Sequence, residues 1–425
     1  AYSWIAYPAL WTGAHAAGLF NRNMKEALAG RRGLWQRLDE QLARRDPEKP
    51  LIWFHVASAG EFLQAQPVME RCMGGGYQCA LTFTSVNGMK WIRKTGFSSG
   101  QQPVVIEYLP LDSARNMKRF LSKLQPSVII YVAYDLWPNL IWTAKKSGIP
   151  QYLISAAIQP RSRRLASSWV RSFYRTLYAC LDGIFTVTDP DRQRFLMTCP
   201  DHPEIRVVGD TRFDSVLDRK RRVSPPKLPG YADGKFILVV GSSISTDEEP
   251  IFPPLKEALT KFPDLLLILV PHEPTEEHLK PCETFFGKFP IERFTRLQND
   301  PAHPPRIILV DTIGILSALY ARGTLAYVGG GFGPRVHNVT EPAVMGLPVM
   351  FGPIFDNSPD AGDLLQQGVA FSVENRAAFR KELFELLKDQ EKCRRLGRRA
   401  EQVLAARAGA ADRSFQAIKR RLTSV

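Results

Sequence analysis

The feature that most constrains the fold is a repeated rhythm: a short apolar run, a turn of small or polar residues, then a helical pattern. Leu51 to Val56 runs into Ala57-Ser58-Ala59-Gly60-Glu61 and a helical pattern from Pro67 to Cys72. Cys79 to Phe83, Val104 to Tyr108, Ser127 to Val132, Gln151 to Ser155, Gly183 to Val187 and Ile205 to Val208 continue it. Strands alternating with helices predict a parallel, doubly wound α/β sheet, with ligands beyond the carboxyl ends of its strands. After the charged, proline-rich stretch from Lys220 to Gly230 the cycle restarts at Phe236 to Val240, Leu265 to Val270, Arg306 to Val310 and Leu325 to Val328. Two such sets predict two Rossmann-like domains with parallel sheets facing a central cleft, at residues 21–222 and 231–400, with a linker at 223–230. A length of 425 residues accommodates both. Residues 401–425 read as a C-terminal helix with the option of returning to the first domain.

The stretch from Tyr327 to Pro353 carries the densest signal. A buried strand ends in a turn with Gly329, Gly330, Gly331 and Gly333; a short helix is expected to begin near His337 or Asn338, and a second strand to open at Pro348. Glycines let backbone approach a ligand, and a helix N-terminus suits an anion such as phosphate. The alternative is a tight connection in which the glycines serve packing. Glu61 has a similar pair of readings. A carboxylate just past a strand end, at a helix start, lies on the ligand-facing rim of an open sheet, and it also simply complements the helix dipole.

Lysine and arginine number 56 against 42 aspartates and glutamates, a net charge of +14, which calls for an anionic partner: phosphates, an acidic sugar, nucleic acid or an acidic membrane surface. No nucleic-acid module signature is present, which argues against nucleic acid. Six scattered cysteines without a Cys-x-x-Cys pair indicate neither a disulfide framework nor a structural metal, and fit a reducing cytoplasm. Residues 1–20 carry no charged side chain and contain Trp4, Tyr7, Trp11 and Phe20, with Arg22, Lys25, Arg31 and Arg32 following. That pattern suits a membrane-associating segment whose body is cytoplasmic, or an apolar helix packed on the domain. Arg161, Arg163, Arg164, Arg171 and Arg175 lie among serines and aromatics, as for phosphate contacts or for a solvated helix face.

Several motifs occur together and in order: Phe54 to Glu61, Trp137-Pro138-Asn139, Gly209-Asp210-Thr211-Arg212-Phe213-Asp214, Asp311-Thr312-Ile313-Gly314, and His337-Asn338 through Glu341-Pro342 to Pro353. In these the chain resembles 3-deoxy-D-manno-octulosonic acid (Kdo) transferases, GT-B glycosyltransferases of lipopolysaccharide assembly. The resemblance implies inverting transfer of Kdo from CMP-Kdo to a lipid A precursor (lipid IVA) at the cytoplasmic face of the inner membrane. Glu61 matches the general base, with Ser58 and Gly60 shaping its turn. Arg161, Arg163 and Arg164 would meet the acceptor. For the donor it implies Arg212 at the phosphate or sugar acid, Ser242 and Ser243 near the phosphate, His272 near the nucleotide, and Gly330, Gly331, His337, Asn338 and Glu341 around it. No cofactor is implied beyond the donor substrate, and no Asp-x-Asp motif suggests a metal. The chain departs from the family pattern at Ala133-Tyr134-Asp135, at Pro334-Arg335-Val336 and at Ser242-Ser243-Ile244-Ser245. A GT-B transferase or epimerase using another nucleotide sugar, and an inactive membrane-associated homologue, are the competing expectations.

Overall fold

The structure, a computed structural model, describes residues 22–97, 101–165, 167–226, 228–298 and 303–423. The expected membrane-associating segment 1–20 lies outside them. Two compact units are present: residues 1–215 with 407–425, and residues 216–406.

The first unit holds a sheet of β1 (Leu51–Val56), β2 (Gln78–Phe83), β3 (Val105–Tyr108), β4 (Val128–Val132), β5 (Gln151–Ala156), β6 (Gly183–Thr186) and β7 (Ile205–Val207). Their order is β3-β2-β1-β4-β5-β6-β7, and every neighbouring pair is parallel. All six residues of β1 are buried, as for a strand covered on both faces. The order reverses between β1 and β4. That is the switch point of the sheet, where turns diverge and leave a crevice.

The second unit repeats the plan with β8 (Phe236–Ser243), β9 (Leu265–Pro271), β10 (Ile291–Arg293), β11 (Ile307–Leu309), β12 (Leu325–Val328), β13 (Val349–Phe351) and β14 (Ala370–Ser372). The order is β10-β11-β9-β8-β12-β13-β14, again all parallel, with the switch between β8 and β12. Two apolar clusters cover its opposite faces, one around Leu238, Leu267 and Tyr327, the other around Val239, Ile268 and Ala326. Strands β10 and β14 were not expected from the sequence. Each has three residues at a sheet edge, and β10 reads Ile-Glu-Arg, too short and too charged to stand out.

The division between the units falls at Ser215/Val216, inside the helix Thr211–Arg222. The composition change that marked 223–230 therefore trails the division by about two helical turns. The C-terminal helix Ala410–Leu422 packs in the first unit, with Ala410, Ala411, Phe415 and Ile418 in its core. Buried Asp214 accepts from the Gly409 and Ala411 N–H groups (2.8 and 3.2 Å), and the Arg71 guanidinium reaches Asp412 at 2.7 and 3.1 Å. The aspartate thus caps a helix start that has no capping side chain of its own.

In the second unit the helix Gln390–Ala405 crosses the helix Thr340–Val344 so closely that a methyl group at Gly397 would collide with the Gly346 carbonyl. Gly397→Ala is expected to lower stability by about 2 kcal/mol in urea denaturation, because this overpacking outweighs the better helix propensity of alanine.

Candidate active site

Both switch points carry the residues singled out above. In the first unit, β1 ends at Val56 and the helix Ala59–Gly74 starts at once, with Ser58 as N-cap: its Oγ accepts from the Glu61 N–H at 3.3 Å. The Glu61 carboxylate folds back to accept the Ala57 N–H at 2.5 Å. Gly60 has room for a methyl group, its nearest neighbour being Ser58 Oγ at 3.7 Å, so this glycine is not required by packing.

Strand β4, beside β1, ends at Val132 and is followed by Ala133, whose φ of 54° turns the chain toward Asp135. One Asp135 oxygen takes a hydrogen bond from Thr84 Oγ1 (2.7 Å) and meets His55 Nε2 (3.0 Å); His55 Nδ1 in turn meets Thr82 Oγ1 at 2.8 Å. Burial works to raise the Asp135 carboxyl, but His55 and Thr84 hold it below the usual range. Glu61 goes the other way. Burial first, and the negative charge of Asp135 second, push it up to about 7, against the pull of the Ala57 N–H and Arg164. Two carboxylates whose environments drive them apart in this way divide the labour between a fixed charge and a proton carrier. His55, Thr84 and Asp135 were not among the expected site residues; His55 sits inside an apolar run and reads as core.

Trp137-Pro138-Asn139 has a structural explanation. Pro138 opens the helix Pro138–Lys146, and buried Asp112 accepts from the Asn139 and Leu140 N–H groups at 3.0 and 2.9 Å. Arg164 donates to the Tyr134 carbonyl (2.8 Å) and lies 5.2 Å from the Tyr174 ring centre. Arg161 is exposed; the side chain of Arg163 lies outside the described residues. Arg212 belongs to this unit and not to the one holding the other expected donor residues: its N–H and Nε donate to Asp210 at 2.9 and 2.7 Å. The neighbouring Thr211 hydroxyl bridges Ser155 and the Gln64 carbonyl, both at 2.7 Å.

In the second unit the ends of β9, β8 and β12 converge. The His272 N–H donates to the Ser243 carbonyl at 2.9 Å, and the His272 ring stacks on His337, centres 4.3 Å apart. Burial, then the neighbouring His272, lower the His337 pKa and keep its ring neutral at pH 7. Ser242 adopts φ 54°, and buried Ser243 donates from Oγ to Glu248 at 3.1 Å.

The glycine turn is not a free cradle of N–H groups. Fully buried Asp247 takes the Gly330 and Phe332 N–H groups at 2.6 and 3.1 Å, together with the Tyr327 hydroxyl and the Ile244 N–H at 3.1 and 3.2 Å. A side chain at Gly329 would strike the Ser242 carbonyl, and one at Gly331 would meet Gly352 at 2.6 Å, while Gly330 has φ 90°. Packing and backbone geometry fix these glycines. The following helix also starts later than expected, at Thr340, and has five residues. Asn338 is the reason: its Oδ1 accepts the Thr340 N–H (3.1 Å) and hydroxyl (2.6 Å), a local turn that competes with helix. Glu341 pairs with Arg219 at 2.5 Å; burial raises its carboxyl, opposed by Arg219 and Asn338. In this unit Asp247 and Arg219 are the residues missed. Asp247 stands in an acidic helix start that reads as dipole complementation, and Arg219 in a basic run that reads as solvated.

Residues 30–215 match the sequence profile described as 3-Deoxy-D-manno-octulosonic-acid transferase (kdotransferase). The chain is 27% identical over 384 residues to the 3-deoxy-D-manno-octulosonic acid transferase of Chlamydia pneumoniae, covering 88% of this chain and 85% of that protein. To the Haemophilus influenzae protein of the same name it is 26% identical over 375 residues, 87% and 86% of the two chains. Among solved structures it is similar to a UDP-GlcNAc 2-epimerase from Neisseria meningitidis bound to UDP-GlcNAc (TM-score 0.58, 12% identity, covering 89% of this chain and all of that one). It is also similar to MurG of Acinetobacter baumannii (TM-score 0.51, 14% identity, 88% and 99%). These two likenesses concern the fold, the GT-B architecture of two doubly wound units. The profile over the first unit and the relatives matched along most of their length agree: the chain is similar to the 3-deoxy-D-manno-octulosonic acid transferases.

Proposed function

We propose that the protein is an inverting glycosyltransferase that moves Kdo from CMP-Kdo to a lipid A precursor. The observation that carries this reading is Glu61: a carboxylate at the β1/β4 switch point, titrating at about 7 beside a fixed Asp135 charge. In the reaction the acceptor hydroxyl oxygen bonds to the anomeric carbon, the bond from that carbon to the CMP phosphate breaks, and Glu61 takes the hydroxyl proton. Ser58 orders the turn that aims the carboxylate. The first unit supplies the base, with Arg161, Arg163 and Arg164 for the acceptor's phosphates. The second unit supplies the donor site from Ser242, Ser243, His272, His337, Asn338 and Glu341, with Gly330 and Gly331 as its packed floor. The hydroxyls and imidazoles of the second unit stabilise charge on the departing phosphate.

We place the protein at the cytoplasmic face of the inner membrane, held there by residues 1–20 and by positive charge facing acidic headgroups. Among the described residues no helix is long and apolar enough to cross a membrane.

CMP is expected to raise the melting temperature more than UDP or GDP, and incubation with CMP-Kdo and a tetraacylated lipid A precursor to yield the Kdo-bearing product by mass spectrometry. The likeness in fold to epimerases of a UDP-sugar motivates the comparison. A larger shift with UDP favours that second reading, and binding of CMP without product marks an inactive homologue.

A further inference from the structure

Outside the sites above, the second unit gathers three metal-ligating side chains of unlike chemistry. Glu248 stands in the first turns of the helix Ser245–Lys261; His278 and Cys282 stand four residues apart on the helix Glu276–Phe286 and so share one face. One ligand atom from each of the three lies within 4.8 Å of the others. Glu276 and Glu283 on the same helix are both paired with Arg293. Glu248 instead contacts His278 Nε2 at 2.6 Å and the Ser243 hydroxyl at 3.1 Å. Cys282 is fully buried, whereas the His278 side chain is 20% exposed, which leaves an approach from solvent.

The geometry points to a zinc-class divalent site formed by Glu248, His278 and Cys282, with water or the Ser243 hydroxyl in the fourth position. A thiolate, an imidazole and one carboxylate suit Zn²⁺ or Co²⁺; Mg²⁺ and Ca²⁺ take oxygen sets. In a tetrahedral site with bonds of about 2.0–2.3 Å the ligand atoms stand roughly 3.3–3.8 Å apart, so the Glu248–His278 contact of 2.6 Å opens by about 0.7 Å as the ion enters. The thiol proton leaves to solvent. Cys282 is fully buried, and its thiolate forms together with the bond to the ion. Because Glu248 also holds Ser243, the ion braces the end of β8.

The full chain, stripped with a chelator and titrated with Co²⁺, is expected to bind about one equivalent and to show a thiolate-to-cobalt charge-transfer band in the near ultraviolet. Cys282→Ser is expected to abolish the band, and Cys282→Ser and His278→Gln each to weaken Zn²⁺ binding at least about tenfold, in competition with a chromogenic chelator. Zn²⁺ should raise the melting temperature of the parent protein and not of the folded variants. Absence of the band in the parent overturns the site whatever the variants do. So does Zn²⁺ affinity that is unchanged in both variants and in Glu248→Gln, which would assign the ion to other cysteines.

Discussion

Replacing Glu61 by glutamine lowers the rate of sugar transfer by about a thousandfold, within the range expected for loss of a positioned general base, while making the protein more stable above neutral pH. The two effects have one cause. The carboxyl titrates near 4.5 in the unfolded chain and at about 7 in the folded one, because folding strips water from it and sets Asp135 nearby. Below about 4.5 both forms are protonated and the group costs nothing. Between about 4.5 and 7 the unfolded chain gives up this proton while the folded protein keeps it, so stability falls by up to roughly 3 kcal/mol over that window and levels off above it. Glutamine keeps an oxygen for the Ala57 N–H and carries no charge, so Glu61→Gln removes most of that penalty at pH 8. Urea denaturation at pH 4 and pH 8 should show the variant gaining only at the higher pH. In the parent enzyme kcat/KM should climb through pH 7 and level off, because the base works ionised; in the variant that limb should vanish. Retained turnover, or a parent profile flat between pH 6 and 8, would remove Glu61 from the role of base.

The second large effect is expected at Asp247. Alanine there leaves the N–H groups of Ile244, Gly330 and Phe332 and the hydroxyl of Tyr327 without their acceptor inside the protein. Each such orphan costs about 1–3 kcal/mol, and since neighbouring losses share relaxation, a total of about 3–5 kcal/mol is expected. Urea unfolding followed by fluorescence measures it. Any CMP binding that survives at low temperature should be weakened at least about tenfold, because the turn leading to His337 has lost its anchor. Asp247→Asn, which keeps one acceptor oxygen, should fall between. A fully stable Asp247→Ala variant with unchanged CMP affinity would show that the turn holds itself.

These two residues also mark what a sequence alone conveys. Glu61 was legible because a carboxylate after a buried apolar run, at a helix start, has few other places to be in a doubly wound sheet. The strands were legible for the same reason: β1 and β12 are unbroken apolar runs bounded by small residues. Strand order was not, and it decides that Glu61 shares its crevice with the end of β4, and so that Asp135 tunes it. The glycine turn left two readings open, because the same residues serve ligand approach and close packing, and only the neighbours Ser242, Gly352 and Asp247 show the packing. Asp247 was hidden among Glu248 and Glu249, where one acidic residue looks like another until one of them is fully buried. Asp135 lies in one of the stretches that depart from the family pattern; His55 and Thr84 supply it with fixed partners.

The helix carried by residues 410–422 sets a timetable for synthesis. Asp214 leaves the ribosome long before the Gly409 N–H group it will hold, 195 residues later. At about 5–20 residues per second that interval is roughly 10–40 s. Throughout it the first sheet is made, its core lacks Phe415 and Ile418, and the second unit is still emerging. For that interval the nascent chain exposes, along the helix 59–74, the apolar surface that the helix 410–422 later covers.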